Sequence, residues 1–300
     1  MEERDRAIGS ILGLAIGDAL GAPFAGLPRE GIPDPIPAFE PPSSVGPPGT
    51  GTDATAMAQS LTDSLLAARG RLDLEDVLAR HLAWFAAGPA VVDPQTARVL
   101  ARARDGDRNA ARWYVETMGP EVSGGNGAVR WCGPLGVVRT REPERLAAEA
   151  PVLAALTHAD GRCGTSCAAV TLAIAGLVAG GEPAPAVVGA MERVVGGDGA
   201  EELEYLIDEI GRARQIDRRH TDFTLFAAGA GLQAVAAGRG FEDGLRHVVS
   251  LGGATAGNGS VAGALLGAHH GRTAIPPGWL DRLADREAIE RGAEALADLL

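Results

Sequence analysis

The chain has 300 residues, a formal net charge of −12, 46% hydrophobic residues and only 4% aromatics. That acidity argues against non-specific nucleic-acid binding, which needs a basic surface to displace counterions. Cys132, Cys163 and Cys167 are too few, and odd in number, for a disulfide framework, and they read as core residues. No uncharged apolar run of about 18 residues is flanked as a membrane span would be. The start, Met1–Arg6, is charged and the apolar stretch after it is interrupted by Asp18, so cytoplasmic residence is the expectation.

With so few aromatics, the core must be built from Ala, Leu and Val, which favours close-packed helices over a sheet. The first helix is expected over 6–22. A proline- and glycine-rich segment, 22–51, follows; it is too long for a turn and reads as a functional or mobile loop. Helices are then expected from Thr52–Thr55 to Ala68, closed by Gly70, over Asp73–Ala87 with Asp73 as N-cap, over Thr96–Arg104 and over Asn109–Met118. A second glycine-rich loop, Gly119–Gly127, leads into a helix over Ala128–Val138. Helical spacing continues over Glu142–Leu156, Gly164–Ala179, Pro185–Val195, Ala200–Arg214, Phe223–Ala237, Phe241–Leu251, Gly259–His270 and Arg282–Leu300. The charged stretch Arg214–His220 reads as an ordinary loop. Sustained strand-like alternation is absent, so the expectation is one all-α domain spanning 1–300.

One internal echo carries structural information. Gly9, Gly13, Gly17 and Gly21 recur at four-residue spacing, and so do Gly259, Gly263, Gly267 and Gly271. An interior glycine costs a helix roughly 1 kcal/mol relative to alanine. Two ridges of them imply close backbone approach, with the first and last quarters of the chain packed together at the centre. The loops before Thr55 and before Gly259 would then be neighbours.

Four segments stand out for chemistry. They are Gly13–Pro23 with Asp18, Gly51–Met57, Ser123–Arg130 continuing to Gly136, and Gly252–Gly259 running into Ala268. In order and spacing they resemble the ADP-ribosylglycohydrolase family, of the dinitrogenase reductase-activating type, over nearly the whole chain. Trp84, Thr157-His158, Ile275-Pro276 and Trp279 also resemble family positions. The resemblance implies an all-α bundle, a hydrolase of ADP-ribosyl glycosidic bonds, and a pair of Mg²⁺ ions. It places their hard oxygen ligands in a Thr-Asp-Asp-Thr segment and a Gly-Gly-Asp-Thr-Asp-Thr segment.

This chain departs at those positions. Ala54, Ala254, Ala256 and Gly257 stand where the resemblance implies metal ligands, and Ala25 where it implies a glutamate near the ribose. Thr52 and Asp53 are what remains. Magnesium dehydrates reluctantly and is not held by one carboxylate and one hydroxyl, so no metal cofactor is expected. Ser123, Gly124, Gly125, Asn126 and Gly127 form the loop that, by resemblance, cradles a diphosphate, and His158 matches a ligand-contacting position. A glycine-rich turn before a helix exposes N–H groups to an anion. Asp18, on the glycine-ridged helix, reads as structural.

Three readings follow. The first is a protein without magnesium-dependent hydrolysis that binds an ADP-ribose-, NAD-derived or other nucleotide-like ligand. The second is a metal-independent glycosidic hydrolase with Asp53 and His158 as candidate catalytic groups, or Asp160 as the partner of Asp53. The third is a structural or protein-interaction role. The sequence leaves the oligomeric state open.

Overall fold

In this computed structural model, residues 2–41, 43–212 and 222–300 are described; the stretch 214–220 read above as a loop lies outside them. Helices are the regular structure of the described part, with isolated bridges Ser43–Gly46 and Gly125–Phe223 in place of any strand among the described residues. In chain order the helices are α1 (Glu3–Gly21), α2 (Asp53–Ala67), α3 (Leu74–Ala86), α4 (Pro94–Arg104), α5 (Ala110–Met118) and α6 (Pro120–Ser123). Then come α7 (Gly133–Val138), α8 (Pro143–Ala154), α9 (Gly161–Val178), α10 (Pro183–Val194) and α11 (Ala200–Arg212). The series ends with α12 (Thr224–Ala236), α13 (Phe241–Val249), α14 (Thr255–His270), α15 (Pro277–Arg282) and α16 (Arg286–Ala297).

The two glycine ridges meet. A Cβ added at Gly13 of α1 would lie 2.1 Å from the carbonyl oxygen of Gly263 in α14, and one at Gly17 would lie 1.9 Å from that of Gly259. No side chain larger than hydrogen fits between these backbones. Both helices are buried on every face along most of their length, which is why neither shows an amphipathic stripe. α1 and α9 are long and apolar enough to cross a membrane by length and composition, but 94% and 83% of their apolar windows are buried inside the fold. Their apolar surface is taken up by neighbouring helices.

The outer helices α3 and α4 are amphipathic and start on local caps: Asp73 accepts from the Asp76 amide and Asp93 from that of Thr96. The segment 22–51 is irregular apart from two short 3₁₀ turns, Ala22–Phe24 and Arg29–Gly31, yet it is anchored by buried Ile36 and Phe39.

Several boundaries differ from the sequence expectation. The helix expected over 128–138 covers only Gly133–Val138, because Pro134 suits a first turn and residues 127–131 form turns instead. Within the expected loop 119–127, Pro120–Ser123 closes one helical turn. α4 starts two residues early, at Pro94, capped by Asp93. α14 starts at Thr255, which moves residues 255–257 from a loop to a helical first turn. The final helix breaks at 283–285, where Asp285 is left-handed and the Ala284 amide donates to Gly49 O at 3.0 Å.

Candidate functional site

The N-termini of α2 and α14 are brought together by the end of α1. Asp18, fully buried on α1, accepts four hydrogen bonds from the start of α2. They come from the Thr52 amide (2.7 Å), the Thr52 hydroxyl (2.7 Å), the Thr55 amide (3.1 Å) and the Thr55 hydroxyl (2.6 Å). One turn on, the Thr255 hydroxyl of α14 donates to Gly21 O at 2.7 Å. Burial pushes the Asp18 carboxyl above its ordinary range, against the pull of those donors. Its role is to hold α2 on α1.

Asp53, the first residue of α2, is also buried. Its Oδ2 accepts from the Asp93 amide at 2.7 Å and from Arg130 Nη2 at 3.1 Å. The same guanidinium lies 4.0 Å from Asp93 Oδ2. Asp93 caps α4 through the Thr96 amide at 2.7 Å, and its Oδ1 is 3.7 Å from His158 Nε2. Burial presses the Asp93 carboxyl upward, but the charges of His158 and Arg130 and the bonds to Thr96 outweigh it and hold the group below its ordinary 3.8. Near neutral pH His158 is uncharged, so Arg130 and Thr96 supply that hold. Burial opposes the Arg130 charge, and Asp53, Asp93 and Asp18 more than offset this.

His158 has no exposed surface, and burial lowers its pKa to about 4. Its Nδ1 is 2.9 Å from the Thr157 hydroxyl. The Asp93 carboxylate can only accept, which favours the tautomer with the proton on Nε2 and the Thr157 hydroxyl donating to Nδ1.

The 123–127 loop lies over this cluster. A Cβ at Gly127 would be 2.3 Å from His158 Cε1, and one at Gly124 would be 2.8 Å from Phe223 Cε2, so both glycines are set by close packing. The Gly124 carbonyl accepts from the Thr224 amide at 2.9 Å, and the Asn126 amide donates to Asp222 O at 2.8 Å. Ser123 is fully buried and donates to Asp160 Oδ2 at 2.6 Å. Asp160 is also held by Arg162, whose Nη2 lies 2.8 Å from Oδ2. Burial pushes the Asp160 carboxyl up, and the bonds from Arg162 and Ser123 bring it below the usual range. A cavity of about 500 Å³ opens beside the loop, lined by Gly124, Gly125, Arg162, Asp222 and Phe223 among others.

Four polar atoms around this loop are buried and have no hydrogen-bond partner among the described residues: Asn126 Nδ2, Arg130 Nε, His158 Nε2 and Gln95 Oε1. Buried polar atoms in folded proteins are nearly always partnered, and further unpartnered ones lie away from this loop, among them Ser10 Oγ, Ser166 Oγ and Trp131 Nε1.

The structure thus brings Thr52, Asp53, Asn126, Gly127 and His158 to one place and turns Ser123 and Asp160 toward each other. Sequence reasoning missed Asp93 and Arg130. Asp93 carried a signal, an Asp-Pro pair at a helix start. Arg130 carried none beyond its place at the end of the third segment.

The implied pair of magnesium ions does not fit these residues. Ala54, Ala254 and Ala256 offer no side-chain oxygen, and Asp53 is already engaged, its Oδ2 by the Asp93 amide and Arg130 and its Oδ1 by the Thr52 hydroxyl. Among the described residues no group of three His, Cys, Asp or Glu side chains could hold a metal ion.

Comparison with known proteins agrees with the resemblance. The family model described as ADP-ribosylglycohydrolase matches residues 1–300. The chain is 27% identical to the ADP-ribosylarginine hydrolase Tri1 of Serratia proteamaculans, covering 98% of this chain and 80% of that protein. It is 28% identical to the ADP-ribosyl-(dinitrogen reductase) glycohydrolase of Rhodospirillum rubrum, covering 98% and 96%. A solved structure of an ADP-ribosylglycohydrolase-related protein complex superposes with a TM-score of 0.82 at 32% identity over 99% of each chain.

Proposed function

The chain belongs to the ADP-ribosylglycohydrolase family, and from that premise we propose that it binds an ADP-ribose-, NAD-derived or similar nucleotide ligand without magnesium-dependent hydrolysis. The observation that carries this reading is the group of unpartnered buried atoms at Asn126, Arg130 and His158, set around a glycine-rich loop whose Gly124 and Gly125 line a separate cavity on the Arg162 and Phe223 side. Asn126 and Arg130 contribute donors only at those atoms, which suits the oxygens of a phosphate ester.

Loss of hydrolysis is supported by the titration state of the site. Cleaving a glycosidic bond without metal needs one carboxyl group protonated near neutral pH and a second group able to act as base. Asp93 and Asp160 are held below the usual carboxylate range, and His158 near 4. Asp18 alone moves upward, and both of its oxygens are engaged by Thr52 and Thr55. This weighs against the metal-independent hydrolase, even though Asp93 supplies the neighbour to Asp53 that the reaction would require.

The test is a thermal-shift titration with ADP-ribose, ADP and NAD, each with Mg²⁺ and with chelator, together with a turnover assay on an ADP-ribosylated arginine peptide. A ligand that binds only the folded state raises the melting temperature by mass action. The expected result is a shift with at least one nucleotide and no product. Absence of any shift at millimolar nucleotide, or release of ADP-ribose from the peptide, overturns the reading.

A further inference from the structure

The three most exposed large apolar side chains among the described residues fall close together in the chain. They are Val188 on α10, Val195 in the turn after it and Tyr205 on α11, exposed to 56%, 80% and 62%. Single exposed valines are ordinary on a protein surface, but a group of them at a concave face marks an interaction site. Here the face is concave. A groove of about 600 Å³ lies between α10 and α11, with Val188, Met191, Val195 and Ile207 along it. Methionine is flexible and polarizable, which suits a surface that must fit a partner's side chains.

The groove carries charge of one sign at its edges. Glu192, Glu201, Glu204 and Asp208 border it, and among the described residues no Lys or Arg does. Glu192, Glu201 and Glu204 are exposed, whereas the neighbouring Arg193 turns to Glu144 at 3.5 Å. Like charges around an apolar floor focus their field into the concavity. An occupant that complements this surface is apolar along one side and cationic along its edges. Two other occupants fit poorly. An anionic lipid surface would be repelled, and a second copy of this chain would bring the same carboxylates and a formal −12 of its own. Both walls are helices whose backbone amides bond internally, so no sheet edge is offered on which an extended peptide could pair. A helix brings its own backbone bonds and presents its apolar side chains as one stripe.

We infer that this groove docks a basic amphipathic helix of a protein partner, its apolar stripe on Val188, Met191 and Val195 and its Arg or Lys side chains on Glu192, Glu201 and Glu204. α11 sets the surface beside the candidate site: Glu201 and Glu204 border the groove, and Glu202 lines the cavity next to the 123–127 loop. The docked partner and that cavity therefore share α11 as a border. The inference stands on the groove alone and holds whether or not the 123–127 loop takes a nucleotide.

The experiment uses the whole chain and a labelled helical peptide of about five turns, with Leu on one face and Lys on the other. Its comparators are a scramble of the same composition and the same pattern with Glu in place of Lys. Anisotropy titration at physiological ionic strength should show the patterned cationic peptide binding at least about tenfold tighter than its scramble, and the acidic peptide not at all. Two double variants probe the two halves of the surface: Val188→Ser with Val195→Ser, and Glu201→Gln with Glu204→Gln. Each should weaken binding about tenfold or more with the melting temperature unchanged, because all four side chains are exposed. Glu116→Gln with Glu287→Gln removes two charges from α5 and α16 instead, and should leave affinity within about twofold. Equal affinity for the patterned and scrambled peptides, or an equal loss in the α5 and α16 variant, means attraction to net charge alone and overturns the inference. So does binding to phosphatidylglycerol vesicles, or a dimer in sedimentation that the Val188→Ser, Val195→Ser protein lacks, since either identifies a different occupant.

Discussion

Asp18 and Thr55 are joined twice, through the Thr55 amide at 3.1 Å and its hydroxyl at 2.6 Å, both onto Asp18 Oδ2. A carboxylate in the middle of a glycine-ridged helix thereby satisfies amides at the start of a different helix, which could not be satisfied from within it. Asp18→Ala should lower stability by about 3–5 kcal/mol, the range for breaking a buried hydrogen-bonded charge. Asp18→Asn should also destabilise, since its amide would face donors on Thr52 and Thr55. Chemical denaturation with unchanged slope is the check, and loss of less than about 1 kcal/mol in Asp18→Ala would contradict the structural role.

The two glycine ridges give a second measurable contrast. Gly13→Ala would place a methyl 2.1 Å from the Gly263 carbonyl oxygen, so α1 and α14 must part. The expected cost is above about 3 kcal/mol, or failure to fold, because neither backbone can move without repacking the core. Gly189 in α10 has its nearest added-Cβ neighbour at 3.8 Å, the end of the Arg193 side chain. Gly189→Ala should therefore gain roughly 0.5–1 kcal/mol, the ordinary helix-propensity benefit. Parallel denaturant melts of the two variants read out both.

The buried histidines set a pH dependence. His158 and His81 both titrate near 4 in the folded chain, lowered by burial, against 6.5 for the free side chain. Between these values the unfolded chain binds more protons than the folded one, so stability rises with pH there and falls as pH drops from about 6.5 toward 4. Melting temperatures followed across that window should show the decline. His158→Gln, which has no titrating ring, should flatten the slope by about the share of one proton.

Asn126 offers the most direct probe of ligand contact. Its amide nitrogen is buried without a partner, so removing it should cost the free fold little and cost the complex a bond. Asn126→Ala should weaken ADP-ribose binding about tenfold, which corresponds to about 1.4 kcal/mol, with the melting temperature of the free protein nearly unchanged. Equal affinity in the two proteins, measured by calorimetry, would remove Asn126 from the binding surface.

Much of the architecture was legible because helical periodicity and the four-residue glycine spacing are local signals with one geometric meaning. The end of the chain was not: periodicity runs through 282–300 without interruption, and the break at Asp285 comes from a tertiary bond between Ala284 and Gly49. The site divided in the same way. Thr52, Asp53, Asn126 and His158 belong to motifs and could be named from sequence. Asp93 and Arg130 are 40 and 77 residues from Asp53, and only folding makes them its neighbours. Asp53 by itself would leave the site with one negative charge. The structure adds Asp93 and Arg130, whose charges cancel.

The main-chain contact between α1 and α14 separates shape from reactivity. Because glycine meets glycine at Gly13–Gly263 and Gly17–Gly259, the two helices cannot slide by a residue, and the start of α2, tied to Asp18, keeps its place beside the start of α14, tied to Gly21. Acids at these two helix starts would repel one another, so alanines at 54, 254 and 256 impose no mechanical penalty on such a frame and relieve a Coulombic one. A scaffold of this kind keeps its form whichever side chains stand at those two helix starts.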